Sequence, residues 1–173
     1  MKKRSILAPK DLRADIQALL DVLNKERDFS IVVVTVGYLD ACLGSLLHSS
    51  LLRSSVTDQL LEPGRGALGA LMARADLAYA MRLIPKEMYQ DLIQFAKVRN
   101  LFAHHHIELS FSDADVQDAC AKLSYLSTLK NGDVDEPLFH AGRPLPLLKE
   151  RFKFTAMFIL DALLRATEAN TKH

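Results

Sequence analysis

The chain has 173 residues, of which 49% are hydrophobic, and this is enough apolar material to bury the core of one domain. Its 22 basic and 21 acidic side chains leave a formal net charge of +1, which argues against the broad basic surface of many nucleic-acid-binding proteins. With 7 glycines, no tryptophan and many leucines and alanines, the composition favours helices over a turn-rich β fold. We therefore expect a single all-helical domain over residues 1–173.

The two cysteines and the apolar segments bear on the compartment. Cys42 and Cys120 lie far apart in helical patterns, which is typical of reduced cysteines and not of a disulfide framework. The basic start, MKKRSILAPK, lacks the apolar stretch of a signal peptide. The longest apolar run, IVVVTVGYLDACLGSLL, is interrupted by Asp40 and is too short to cross a bilayer cleanly. The sequence predicts a cytoplasmic protein with no membrane partner.

The first two predicted helices occupy residues 9–28 and 28–52. The first has leucines and isoleucine at helical spacing and a charged outer face, as in an amphipathic helix. The second begins with β-branched residues and continues with leucines on a 3.6-residue period, so we expect one long, buried, central helix. Asp28 or Ser30 is its expected N-cap. A strand over residues 31–36 is the alternative interpretation of the β-branched run.

A turn at Glu62-Pro63-Gly64 and a helix over residues 66–84 come next in the prediction. The small residues of that helix indicate a close approach to a neighbouring helix. After it, a helix begins at Pro85, and another is predicted behind Ser112, which is its expected cap.

The C-terminal part of the chain combines a long irregular segment with a final helix. Residues 131–146 are rich in proline and glycine, and loops of this length are uncommon in compact domains. The last predicted helix covers residues 148–170, with an apolar inner face. Together the patterns predict an all-α bundle of five to seven helices.

The helix from Pro85 to His106 has an arginine within its apolar stripe. The stripe, spaced by four and three residues, consists of Met88, Leu92, Phe95, Arg99 and Phe102. Burying a guanidinium without a partner is costly, so Arg99 has three alternatives. It meets a carboxylate, it reaches out of the groove, or it faces a second subunit or an anionic ligand. The candidate carboxylates are those of Asp76, Asp91 and Asp161.

Asn100 and His104 are four residues apart and share one face of the same helix with Ile93 and Lys97. Arg99 is five residues from His104, roughly 140° around an ideal helix, so the two point in different directions. A frayed helix end, or a homodimer that brings two copies together, would make them converge into a phosphate-binding cleft. The alternative is that His104 only interacts favourably with the negative, C-terminal end of the helix dipole.

Metal, cofactor and DNA sites have little support in the sequence. Consecutive histidines, as in the run from His104 to His106, point about 100° apart on a helix and cannot all bind one ion. The loop EPGRGALG lacks the lysine and serine or threonine of a phosphate-binding loop. The helix after Pro85 carries Glu87 and Asp91, which disfavour a helix-turn-helix DNA contact. We expect no metal and no cofactor.

The segment Arg99-Asn100-Leu101-Phe102-Ala103-His104 resembles the signature of the HEPN superfamily, in which an arginine and a polar residue precede a histidine by a few positions. The resemblance implies a metal-independent ribonuclease centre at a dimer interface, in a toxin or a phage-defence effector with RNA as its substrate. Arg99 would steady the scissile phosphate and His104 would act in proton transfer at the ribose 2′-hydroxyl, with Asn100 as the polar residue beside them.

A longer stretch, from Leu60 to Val116, resembles the mannitol operon repressor family of small all-helical bacterial regulators. The matching elements are the Leu-Glu-Pro turn, the Gly-x-Leu before Arg74, Leu77 with Tyr79, Ile84, Tyr89 and the Ser-Phe-Ser-Asp stretch from Ser110. This resemblance implies transcriptional regulation through a partner protein, without a standard DNA-binding motif. It is our leading hypothesis, with a homodimer as the expected assembly, and the HEPN ribonuclease is the alternative.

Overall fold

A computed structural model describes residues 11, 13, 19, 21, 23–24, 27–104, 109–130 and 146–171. Over these residues the predicted all-α bundle is confirmed, with six α-helices and one short 3₁₀ helix among residues 27–171. The α-helices are α1 (Asp28–Ser50), α2 (Ser55–Leu60), α3 (Leu71–Ala80), α4 (Lys86–His104), α5 (Ala114–Ala121) and α6 (Leu148–Thr171), and the 3₁₀ helix spans Tyr125–Thr128.

Two of the predicted segments lie largely outside the described residues. Of the helix predicted over residues 9–28, Leu19 and Leu23 are described and are buried in helical backbone. Of the irregular segment predicted over residues 131–146, the structure describes Pro146. The single-domain organisation over residues 1–173 stays a prediction.

Helix α1 is the long, buried, central helix that the sequence predicts. It packs against α6, α3 and α4, and the strand alternative for residues 31–36 is wrong because these residues are helical. Its length and composition are also those of a membrane span, but 61% of its most apolar window is buried among the other helices, as in the core helix of a soluble protein.

The start of α1 is tied to the rest of the bundle by a carboxylate that does not cap it. The N-cap is Arg27, so the predicted cap at Asp28 or Ser30 is wrong. The Asp28 carboxylate instead accepts a hydrogen bond from the backbone N–H of Phe111 (3.0 Å) and one from Lys149 Nζ (2.7 Å). Asp28 therefore joins α1 to α6 and to the loop before α5, which are distant in sequence.

The centre of the core is a cluster of aromatic rings from α4, α6 and the loop before α5. The rings of Phe95 and Phe152 lie 4.6 Å apart, and that of Phe111 lies 5.2 Å from Phe152 and 6.0 Å from Phe102. All four side chains are buried. Because each large apolar side chain contributes roughly 1.5–3 kcal/mol on burial, this cluster fixes α4 against α6.

Two acidic residues organise the backbone around α5. Buried Asp91 accepts hydrogen bonds from the backbone N–H groups of Ser124 (2.8 Å) and Tyr125 (2.9 Å) at the start of the 3₁₀ helix. Burial raises the pKa of its carboxyl, and these hydrogen bonds act in the opposite direction. The N-cap of α5 is Asp113, so the prediction of Ser112 is wrong.

The connection between α3 and α4 contains an arginine in a left-handed conformation. Arg82 has a φ of 58°. Its N–H donates to Tyr79 O, and the N–H of Leu83 donates to Ala78 O, which is the Schellman pattern that usually has glycine at this position. For a residue with a Cβ, this conformation raises the free energy of the folded state by roughly 1–2 kcal/mol.

Replacing Arg82 with glycine should therefore stabilise the protein. We expect a gain of about 0.5–1 kcal/mol, since relief of the left-handed strain exceeds the added backbone entropy of glycine. Urea denaturation followed by circular dichroism measures the change. The matched control, Arg82→Ala, also removes the exposed guanidinium but keeps the strain, so a similar gain for alanine would contradict this explanation.

Candidate functional site

The buried face of α4 follows the apolar stripe that the sequence predicts, and the arginine of that stripe is exposed. Met88, Leu92, Phe95 and Phe102 are buried, while Arg99 is exposed. The Arg99 Nη1 donates a long hydrogen bond of 3.3 Å to Oδ1 of Asn100. Within the described ranges, Arg99 makes no ion pair with a carboxylate. Of the three predicted alternatives, the carboxylate partner is thus wrong for the described residues, and an exposed side chain agrees with both of the others: one that reaches out of the groove and one that faces a second subunit or an anionic ligand.

The carboxylates predicted as partners of Arg99 are all held by other groups. Asp76 accepts from the Tyr89 hydroxyl at 2.9 Å, and Asp161 accepts from Arg165 Nε at 2.7 Å. Asp91 caps the 3₁₀ helix, as described above. The prediction that one of these carboxylates pairs with Arg99 was thus wrong, because each of the three accepts hydrogen bonds from other groups.

A groove of about 430 Å³ opens between α3 and α4. Its apolar lining comes from Met72 on α3 and from Ile93, Ala96 and Leu101 on α4, and its polar lining is Lys97, Asn100 and His104. The predicted row of Ile93, Lys97, Asn100 and His104 along one face of α4 is therefore confirmed. The groove is an open cleft with an apolar floor and hydrogen-bonding groups along the α4 side.

Of the three predicted site residues, Asn100 is the one that the structure brings to both of the others: it accepts from Arg99 and lines the groove with His104. Asn100 and His104 both line the groove, whereas Arg99 is not among the residues that line it. This agrees with the roughly 140° that separates positions five apart on a helix. Within one subunit, Arg99 and His104 thus do not both line this groove. The ribonuclease alternative stays a prediction that depends on a second copy of the chain.

Two stacked tyrosines lie at the other end of the α3–α4 pair. The rings of Tyr79 and Tyr89 are 4.7 Å apart and nearly parallel, at 9°. The hydroxyl of Tyr89 donates to Asp76, and this hydrogen bond to a carboxylate raises the pKa of Tyr89. Tyr79 remains 40% exposed.

Among the residues that the structure describes, the buried arginine is Arg74, which the sequence analysis did not single out. It is 2% exposed. Its guanidinium donates to three backbone carbonyls: Nε to Leu68 (2.8 Å), Nη1 to Asp40 (2.9 Å) and Nη2 to Leu61 (2.9 Å). These contacts tie the loop between α2 and α3 to the middle of α1.

The Asp40 carboxylate completes the surroundings of Arg74. Its Oδ1 lies 2.9 Å from Arg74 Nη1, an ion-pair distance at an angle outside hydrogen-bond geometry. Burial raises the pKa of Asp40, while the positive charges of Arg74 and Arg99 act to lower it. The pKa of Asp40 is therefore set by its burial against two arginines, of which Arg74 is in contact with it. A Cβ at Gly44 would sit 3.1 Å from Arg74 Nη1, so glycine leaves room for this guanidinium.

No cluster of three or more histidine, cysteine, aspartate or glutamate side chains suited to a metal ion occurs in the part of the chain that the structure describes. Both cysteines are buried, and burial raises the pKa of each thiol to about 12. Their thiolates are therefore scarce at neutral pH, which makes them unreactive.

Comparisons with known proteins place these features in a family. A profile of the mannitol repressor family matches residues 15–154. Among solved structures, the fold is similar to a chain described as "X-ray structure of the MtlR-HPr complex from Escherichia coli". The TM-score is 0.56 at 20% identity, with 91% of this chain and 99% of that chain covered. A search of curated proteins found no match. The family match covers most of the sequence, and the chain belongs to the mannitol repressor family.

Proposed function

We propose that this protein is a transcriptional regulator of a mannitol operon that acts by binding a partner protein. The observation that carries the proposal is the family match over residues 15–154, which includes the whole of α1 to α5. The solved chain of similar fold is in a complex with HPr, and HPr is therefore the first partner to test. Helix α4, which follows α3 after a short connection, carries Glu87 and Asp91 beside its basic residues, and this disfavours direct reading of DNA.

The surface of the protein supports a binding role. The groove between α3 and α4 is concave and apolar, and it is lined by side chains that can donate hydrogen bonds to a partner. Clefts of this kind are common sites for a partner's helix or loop. A homodimer remains part of the proposal, with each copy presenting one such groove.

Regulation and partner binding can be tested together. Deletion of the gene should raise the mannitol operon transcript in cells grown without mannitol, and the purified protein should bind the HPr of the same bacterium with a Kd of about 10 µM or tighter. Quantitative PCR and isothermal titration calorimetry measure the two effects. Sedimentation of the same samples gives the number of copies in the complex. An unchanged transcript together with no HPr binding would overturn the proposal.

A further inference from the structure

We propose that two copies of this protein associate through the outward-facing side of α6, with the two helices antiparallel. The inference rests on the homodimer of the proposed function, and it adds the surface and the orientation of the contact. We call this surface the outer α6 face. Its residues are Glu150, Phe154, Phe158, Asp161 and Arg165.

Two exposed aromatic rings distinguish the outer α6 face. Among the residues that the structure describes, four phenylalanines form the core cluster and three are exposed, at 54% for Phe29, 46% for Phe154 and 36% for Phe158. Phe154 and Phe158 are four residues apart and therefore share one face of α6. Aromatic side chains contribute much of the apolar area of protein interfaces, and exposed apolar patches often mark them. A second copy that covers these rings would remove their apolar surface from water.

The start of α1 offers further apolar surface at the same end of the bundle. The Asp28 carboxylate accepts from Lys149 Nζ at 2.7 Å near the start of both helices, and Ser50 accepts from Asn170 at 2.8 Å near their ends. Helices α1 and α6 therefore run side by side in the same direction, and Phe29 lies at the level of the first turn of α6. Stable interfaces bury roughly 800 Å² on each partner, which is more than two phenyl rings supply.

The order of charges along the face determines the orientation of the two copies. Glu150 lies one turn before the aromatic pair and Arg165 lies two turns after it, and their side chains are 48% and 75% exposed. In a parallel dimer each of these charges would lie opposite its own copy, which is repulsive. In an antiparallel dimer with its two-fold axis beside Phe158, Glu150 of each copy lies opposite Arg165 of the other. The face is thus complementary to itself in the antiparallel orientation.

The other charged groups beside the face already have partners in their own subunit. These groups are Arg13, Arg151, Lys153 and Glu168. Glu150 accepts from Lys153 at 2.9 Å, and Arg165 donates to Asp161 at 2.7 Å. Exposed ion pairs within one helix contribute little to stability, so Glu150 and Arg165 can also contact a second copy at small cost.

Such a dimer differs from the one that the ribonuclease alternative requires. On the opposite side of α6, the ring of Phe152 lies 4.6 Å from that of Phe95 on α4. Helix α6 of each copy therefore lies between its α4 and the second copy. The residues Arg99 and His104 of the two copies do not converge, and the groove between α3 and α4 stays open to a different protein.

Sedimentation equilibrium of the full chain tests the surface. Phe154→Glu and Phe158→Glu should each raise the Kd of the dimer at least tenfold, because each places a charge within the covered apolar patch. The matched control is Val56→Glu, which puts the same charge on another exposed aliphatic position and should leave the dimer Kd within twofold. Circular dichroism verifies that every variant keeps its helix content.

A charge exchange tests the orientation. Glu150→Arg and Arg165→Glu should each weaken the dimer at least fivefold, and the double variant should return its Kd to within threefold of wild type. Within one subunit these two residues are about 22 Å apart along α6, too far for contact. Recovery in the double variant can therefore come only from contact between two copies.

Three results would overturn the inference. The first is a wild-type protein that sediments as a monomer up to 100-micromolar concentrations, roughly the weakest association that a regulator's dimer could use. The second is a dimer that Val56→Glu weakens as much as the two phenylalanine variants do. The third is a double charge variant that stays as weak as the single ones. If the wild type is monomeric but binds HPr and represses the operon, this inference falls and regulation through a partner protein stands.

Discussion

Replacing Arg74 with alanine is expected to lower the free energy of unfolding by about 3–5 kcal/mol, the range for removing one partner of a buried charged network. The substitution leaves the carbonyls of Asp40, Leu61 and Leu68 without their donor and the Asp40 carboxylate without its counter-charge. It also opens a cavity beside Gly44. Urea denaturation at neutral pH, followed by circular dichroism, measures the loss.

Arg65→Ala is the matched control, because Arg65 lies in the same loop between α2 and α3 but is exposed. Its effect should stay within about 0.5 kcal/mol. Arg74→Lys keeps the positive charge but cannot reach three carbonyls from one ammonium group, so it should recover only a minor part of the stability. Equal stability of Arg74→Lys and wild type would show that charge alone matters and that the three hydrogen bonds do not.

The sequence predicted the long buried helix and the inner stripe of α4 because both depend on local periodicity. An almost uninterrupted apolar run such as residues 31–47 has few alternatives to a central position in a helical bundle. Similarly, the spacing of Met88, Leu92, Phe95 and Phe102 sets their direction whatever the neighbouring elements are. The same rule placed Asn100 with His104, and it separated Arg99 from His104.

Periodicity could not predict which arginine is buried and which is exposed. Arg99 follows the spacing of the inner stripe, yet its long side chain reaches solvent from the edge of that stripe. Arg74 is buried because Gly44, on a different helix, leaves space for it and because the loop between α2 and α3 directs two carbonyls at it. Both conditions come from contacts that are distant in sequence or made by backbone atoms.

The lining of the groove was also predictable only in part: residues of one helix could be placed together from the sequence, but residues from different helices could not. Its α4 side is a row of side chains at helical spacing, which the sequence reveals, whereas Met72 enters from α3 only when the two helices pack. Resemblance to the family supplied information of a different kind. The Leu-Glu-Pro turn and the Gly-x-Leu before Arg74 contain Leu61 and Leu68, whose carbonyls accept from Arg74, and Gly66. These two elements of the resemblance thus lie, in this fold, in the loop whose carbonyls bind a buried arginine.

The second large loss of stability is expected for a substitution of Gly66, which is closely packed against backbone atoms in that loop. A Cβ at this position would lie 2.1 Å from Leu60 O and 2.4 Å from Gln59 O, and backbone atoms cannot move aside as a flexible side chain can. We expect Gly66→Ala to destabilise the protein by about 2–4 kcal/mol, at or above the upper end of the usual cost of overpacking.

Gly37→Ala is the matched substitution with the opposite expected sign. Gly37 lies within α1, is exposed, and has no atom within 4 Å of the position of an added Cβ. Alanine there should stabilise the protein by about 0.5–1 kcal/mol, because it restricts the unfolded chain and favours the helix. Thermal and urea unfolding of both variants measure the difference. A loss at Gly37 as large as that at Gly66 would mean that open space does not distinguish the two positions, and the packing argument for the loop would then be wrong.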